Sequence, residues 1–339
     1  MEHNFGLSPL LQSHMLEFSS ELPFEGGAQL LNIALTQAQV CASQCQRLTE
    51  YFGSLGQVQE VLTRPGFDFQ VSPQAKVASP PVAPILYVET DGGHIRTDEG
   101  FREVKVGRLF GSHQLVKVSS DNEEVKLRMA LEKSDYIAQL GSSAEFTARF
   151  DTLIAAHRKQ SPKLQLVAIS DGAEWIARWL AAKHTDAVMI LDFYHATEHL
   201  ADFAKAVFSD DKASSNWIET CSKRLLEGQF DRVIEAITDK KNTCKSQHLK
   251  QQADSLMKYY QHNRYRMKYH EYRALGYCIG SGAIESAIST VVQQRCKLVG
   301  QRWTKGLSAV LNMRTVFKSQ KRDSLRNVIA LKMGLKHAA

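Results

Sequence analysis

The sequence predicts an α/β protein built on a mixed sheet, and three observations lead there. Two β-rich runs with short links, Ile85–Asp91 and Phe101–Phe110, lie close enough in the chain to pair antiparallel. Strand, helix and strand then follow one another between Leu164 and Leu191, the order of a parallel crossover. Residues 196–275 carry helical periodicity and no strand signal, so an all-helical insertion follows the strands.

The 339 residues, 43% of them hydrophobic, supply enough apolar surface for a packed core and suggest about two domains. No run reaches the ~18 apolar residues of a membrane span. The start, MEHNFGLSPLLQSHMLEF, lacks the cationic and apolar regions of a secretory signal. Six scattered cysteines with no CxxC pair predict a reduced, cytoplasmic protein. Net charge is +6, but Ser286–Ala339 alone carries eleven Lys/Arg against one acid, Asp323. A basic C-terminal block on an otherwise mildly acidic chain points to a polyanion, and a solvated helical face is the plainer alternative.

Residues 1–55 read as three short helices. Leu10, Leu11, Met15, Leu16 and Phe18 mark the first. Ala28, Leu30, Leu31 and Ala34 mark the second, which starts near Pro23. The third runs from about Thr36 through Val40, Cys41, Leu48 and Phe52. Tight connections suit a helix-turn-helix DNA-binding unit or an ordinary bundle. Cys41 and Cys45 read as small buried hydrophobes. Residues 56–84, ending in ASPPVAP, read as a linker.

Ile85–Asp91 reads as a strand stopped by Gly92-Gly93, and Phe101–Phe110 as its partner. A third strand is expected at His113–Val118 or Tyr136–Leu140. A helix over 143–158 follows, then the buried strand Leu164–Ser170 ending at Asp171. Next come a helix marked by Trp175, Ile176, Trp179 and Leu180, and the strand Ala187–Leu191 ending at Asp192. Residues 85–195 would form the first part of a catalytic domain. Residues 276–320 would supply its last helix, and 321–339 a basic tail.

The chemistry lies in acids at strand ends, where α/β sheets place their ligands. Asp91 and Asp171 stand there, and Glu285 begins a helix inside Gly280–Trp303, GSGAIESAISTVVQQRCKLVGQRW. Three carboxylates brought together suit divalent cations acting on a phosphodiester. Singly, each Asp before Gly is an ordinary turn residue. Glu285 is a helix-start acid that misses the capping-box position counted from Ser281 by one. HATEH, with His195 and His199 four apart, fails as a zinc-protease motif because Ala196 stands where the catalytic Glu belongs. His195 packs against the loop after the second strand or contacts DNA phosphate. Trp217 belongs to the core or stacks on an extruded base. Arg295, Lys297, Arg302 and Lys305 are the expected phosphate contacts.

With these segments in view, the chain resembles the DDE transposases of bacterial insertion sequences, the Kra-type group and its Mutator-like relatives. The matching stretches are YVETDGGHI with FREVKVGRLF, ISDGAEWI, ILDFYHATEHL, and YCIGSGAIESAISTVVQQRCKLVGQRW, within residues 85–317. The resemblance implies a ribonuclease-H-like fold with helices on both sheet faces. It implies Asp91, Asp171 and Glu285 as catalytic, metal-binding residues for two Mg²⁺ or Mn²⁺ ions. Asp192 and His195 would support them through the Asp-x-x-His signature. Cleavage at element ends would expose 3′ hydroxyls that attack target DNA. Double-stranded DNA, both terminal repeats and target, would be the partner, and self-association is expected, with no membrane and a nucleoid-associated cytoplasmic site. Rival readings are an inactive, transposase-derived DNA-binding protein, a carboxylate-pair hydrolase and a helical scaffold.

Overall fold

The β-rich run that starts at Ile85 does not stop at its glycine pair. In the computed structural model, which describes residues 5–69, 84–118, 128–131, 133–280 and 286–335, β1 spans Ile85–Thr97. It turns through Gly100 into β2 (Gly100–Gly111) and pairs antiparallel with it from Leu86↔Gly111 to Thr97↔Gly100. Gly92 and Gly93 are paired inside this ladder, opposite Lys105 and Val104. Both alternatives for the third strand form. β3 (Leu115–Val118) makes a small antiparallel ladder with β4 (Arg128–Leu131), and β5 (Asp135–Leu140) pairs antiparallel with β2.

The chain divides into two compact units, Met1–Gln165 with Ile284–Ala339, and Leu166–Ala283. In the first, the β5-β2-β1 strands have helices on both faces. On one face lies α5 (Ser143–Gln160), whose Phe146 and Phe150 fill the space over Gly107. A β-carbon there would stand 2.8 Å from Phe150 and 2.9 Å from Phe146, so only glycine admits both rings. The other face offers Ile95, Val104, Val106 and Ala138. It is covered by a π-helical segment, Ile288–Gln293, that runs into a short helix α12 (Gln294–Cys296), and by α13 (Leu307–Lys318).

The N-terminal helices are α1 (Pro9–Glu21), α2 (Phe24–Ala34), α3 (Ala42–Gly53) and α4 (Gly56–Leu62). Helix α4 lies where a linker was expected, because Val58, Val61 and Leu62 are buried. The third helix starts at Ala42, later than Thr36: Cys41 caps it, with Gln44 completing a capping box. Cys41 is therefore exposed, and of the pair only Cys45 is buried. Met15, Leu16, Leu48 and Phe52 share one core with Met313, Val316, Leu325 and Ile329. The last four come from α13 and from α14 (Arg322–Lys332), so the expected basic tail contains a helix that buries its apolar side. At Gly53 the backbone of Ala309 comes so close that a β-carbon would meet its oxygen at 2.5 Å.

The second unit begins with β6 (Gln165–Ser170), α6 (Glu174–Lys183) and β7 (Val188–Leu191). The two strands run parallel, in register from Val167↔Val188 to Ser170↔Leu191, as the crossover order requires. Helices follow without a strand: α7 (Phe193–Val207), α8 (Asp211–Leu226), α9 (Phe230–Thr243), α10 (Gln247–Asn263) and α11 (Tyr269–Ala274). The protein is thus a mixed α/β chain: β5, β2 and β1 run antiparallel in the first unit, beside the small β3–β4 ladder, and β6 and β7 run parallel in the second. Among the described residues no helix is long and apolar enough to cross a membrane.

Candidate functional site

Asp91 stands where β1 leaves the core. Residues 85–90 are all buried, and from Asp91 onward burial alternates. The correction to its expected place is that it lies inside the strand, paired with Val106, rather than at its end. Its carboxylate is half-buried and accepts from the backbone N–H of Gly92 at 2.6 Å. The next two residues, Gly92 and Gly93, continue the ladder rather than turn it. Gly92 leaves room for Glu103, which would stand 2.8 Å from a β-carbon. Gly93, on the same strand face as Asp91, lies under Ile288, whose Cγ2 is 3.7 Å from where a β-carbon would be.

That contact bears on Glu285. Glu285 itself lies outside the described residues, but the segment beginning three positions later packs across the Asp91 face of β1. Burial of Ala287, Ile288, Val291 and Val292 in the same core fixes it there. A π-helix takes its carbonyls off the regular i→i+4 ladder. Here the buried Arg314 guanidinium takes up two of them, donating to the carbonyls of Thr290 and, at 2.8 Å, Val291. It also donates to Ser20 and pairs with Glu21 at 3.3 Å. Burial pulls its pKa down from the ordinary arginine value, and Glu21 opposes that shift.

In the second unit Asp171 follows β6 as expected. Its Oδ1 accepts from the Ala173 backbone N–H at 2.9 Å, and its carbonyl accepts from the Tyr259 hydroxyl at 2.9 Å. Gly172 has φ +100, and a β-carbon there would press on Leu191 and on Tyr259. Asp192 is buried and caps α7, accepting from the backbone N–H of Tyr194 at 2.7 Å and His195 at 3.3 Å. His195 is half-buried and 3.5 Å from Glu198. Its ring meets His199 edge-on at 4.8 Å, and His199 meets Tyr259 at 4.5 Å. Burial, then the neighbouring His195, pushes the His199 pKa below its ordinary value.

The expected phosphate contacts separate into two kinds. Arg295 is 1% exposed, lies between the rings of Phe24 and Trp303, and donates to the Ser19 carbonyl at 3.0 Å. It is a core residue, not a DNA contact, because its guanidinium is spent inside the unit. Lys297, Arg302 and Lys305 are exposed, although Arg302 is held by Asp98 at 2.6 Å. Trp217 is half-buried between Phe203 and Phe208, with ring centroids at 6.0 and 5.9 Å, which favours the core reading. The sequence reading missed Tyr259 and Arg314. A lone helical tyrosine and one arginine of a basic tail carry no local signal of the carbonyls they reach.

Among the described residues no three His, Cys, Asp or Glu side chains gather closely enough to hold a metal ion. Asp91 and Asp171 belong to different units, and Glu285 lies outside that set. Asp91 and Asp171 are half-buried carboxylates, the oxygen chemistry that Mg²⁺ selects. Over residues 60–328 the sequence matches the uncharacterised protein family UPF0236, and the chain belongs to that family. Among curated proteins none matches it.

Proposed function

We propose that this member of the family is a DNA transposase that cuts the ends of a mobile element and joins the 3′ hydroxyls to target DNA. One observation supports the reading above the others: the segment behind Glu285 packs on the face of β1 that carries Asp91, through Ile288 over Gly93. The residues that follow Glu285 in the chain therefore lie on the same side of the sheet as Asp91. Asp171, tethered through Tyr259 at the end of β6, is the third carboxylate.

Asp91, Asp171 and Glu285 would hold two Mg²⁺ ions, which when bound stabilise charge on the attacking and leaving oxygens of a phosphodiester. The chain's own work is positional. Gly92 holds the Asp91 carboxylate, Ala173 that of Asp171, and Arg314 secures the turn behind Glu285. Lys297 and Lys305, exposed on the first unit, are available to phosphates of duplex DNA.

Glu285→Gln is the decisive variant. It is expected to abolish Mg²⁺-dependent cleavage of duplexes carrying the element's own terminal sequences, by at least a hundredfold. Salt-sensitive binding to the same duplexes should persist. Cleavage at wild-type rate by Glu285→Gln overturns the assignment.

A further inference from the structure

Between α12 and α13 the chain makes a turn whose apolar side chains gain nothing from the fold. Val299 at its tip is fully exposed, and Leu298 beside it is exposed as well. The turn is nonetheless tightly built. Gly300 takes φ +74, the Gln301 backbone N–H donates to the Leu298 carbonyl at 3.0 Å, and Gln301 Oε1 accepts from the Leu298 N–H at 3.0 Å. Its base is anchored to the far end of β1. Trp303 is buried and donates its indole N–H to the Cys296 carbonyl at 3.0 Å. Its backbone N–H donates to the Arg96 carbonyl, and its carbonyl accepts from the Asp98 N–H, each at 3.1 Å. The tip is therefore fixed outward, and the ordering that a partner would otherwise have to impose is already present.

Charge narrows the choice of partner. The two acids that join β1 to β2 are taken, Asp98 by Arg302 at 2.6 Å and Glu99 by Arg102 at 3.3 Å. Arg96, Lys297 and Lys305 are exposed, and among the described residues none of them has a carboxylate partner. A rigid apolar tip among unneutralised cations matches a DNA duplex opened at one base step. The cations meet phosphates, and the apolar pair fills the gap between the unstacked bases. Valine and leucine offer no hydrogen bond to a base edge, so the tip acts on stacking rather than on hydrogen-bond readout. A bilayer is the poorer match, because two aliphatic side chains bury too little apolar surface to anchor a protein there.

We propose that the Leu298–Val299 tip wedges into a base step of duplex DNA held by Arg96, Lys297 and Lys305. The choice of DNA rests on the transposase reading; the fixed apolar tip and its cations do not. Its place in the first unit fits that reading. Trp303 bridges Thr97 of β1, the strand that carries Asp91, and the tip ends the segment that begins behind Glu285.

Fluorescence on the full chain, without Mg²⁺, tests this. Duplexes of the element's terminal sequence and of unrelated sequence carry one 2-aminopurine at successive positions and are titrated at several salt concentrations. Phosphatidylserine vesicles are titrated in parallel. Leu298→Ser with Val299→Ser removes the apolar pair, Val299→Leu keeps the tip apolar, and Lys297→Ala with Lys305→Ala removes two cations. The wild type is expected to raise 2-aminopurine fluorescence at a bound step, because the probe brightens when unstacked. The serine pair should cut that rise roughly tenfold, with an unchanged melting temperature and an unchanged salt slope. Val299→Leu should keep the rise, and the alanine pair should reduce the salt slope by about two. An undiminished rise in the serine pair overturns the proposal, and so does a bound wild-type duplex with no rise at any position. Vesicle binding that the serine pair abolishes assigns the tip to a membrane and overturns the wedge. Absence of duplex binding overturns the wedge and the transposase reading together. A serine-sensitive rise in a chain that cleaves no terminal sequence supports the wedge while the transposase reading fails.

Discussion

In the first unit several buried charged groups join distant elements; in the second, tyrosine hydroxyls do much of that work. Asp135 of β5 is fully buried. It lies 2.9 Å from the His157 ring of α5 and 2.8 Å from Lys321, and it accepts from the Gly66 backbone at 2.9 Å. Lys321 donates onward to the carbonyls of Leu62 and Arg64. Arg295 and Arg314 do similar work for Ser19 and Val291. The second unit instead uses Tyr259 on Asp171, Tyr260 on Ala196 at 2.6 Å and Tyr272 on Met189 at 3.3 Å, each hydroxyl donating to a carbonyl. Burial raises all three phenol pKa values, that of Tyr272 to about 12, so these ties stay neutral wherever the protein works. The difference teaches where each unit is vulnerable: a charge tie fails when one partner is lost or protonated, a neutral one loses a single bond.

The largest break should come from Asp135→Ala. Removing one partner of a buried ion pair costs about 3–5 kcal/mol because the other is left buried and unpaired. Lys321 would keep its two carbonyls but lose its counter-charge, and the Gly66 N–H would lose its acceptor. Hydrogen exchange should show protection lost in α4, β5 and α5, with α8–α10 much less affected. A loss below ~1 kcal/mol, or one spread evenly over both units, would remove the contrast.

Acid should sharpen the contrast without any mutation. Burial alone would raise the Asp135 pKa, but the His157 hydrogen bond and the charges of Lys321 and His157 outweigh it, and the carboxyl titrates below the usual range. A folded pKa below the unfolded value, ~3.9, gives stability that is fully present above that value. It is lost as pH falls through the folded pKa. Between neutrality and about pH 4 this tie therefore holds, and below that the first unit should lose protection before the second. Exchange read at α5 and at α10 across an acid series checks the order; α10 opening first would reverse it.

How much of this was open to sequence reading depended on the range of the cause. Strands β1, β2, β6 and β7 and helices α5 and α6 follow from local pattern, since Ile85–Thr90 and Leu166–Ser170 are near-continuous buried runs. Asp91 was expected at the end of a strand, whereas it lies inside β1, at a boundary of burial. The reason is that Gly92 and Gly93 are held in the ladder by Lys105 and Val104 of β2, partners that the local sequence does not announce. The basic block misled for a related reason. Arg295, Arg314 and Lys321 look like surface cations and are interior ones, because the carbonyls and carboxylate that receive them come from α1, the π-helical segment and β5. Composition counts charges, and only tertiary structure says which face water. The exposure of Leu298 and Val299 lay equally out of reach, since the bonds that anchor their turn come from β1.

The smallest effect should be Tyr260→Phe. Its hydroxyl is buried and donates to the Ala196 carbonyl, so the substitution removes one hydrogen bond and keeps the ring. A neutral intramolecular bond contributes about 0.5–1.5 kcal/mol. Ala196 lies inside α7, where its carbonyl retains the helical donor four residues on, so no acceptor is stranded. The expected loss is about 1 kcal/mol, confined to the contact of α7 with α10 and unchanged between pH 4 and 9. A loss as large as that of Asp135→Ala, or one that varies with pH in that range, would show that the tyrosine ties are not neutral single bonds. The two units would then differ in composition but not in the kind of force that holds them.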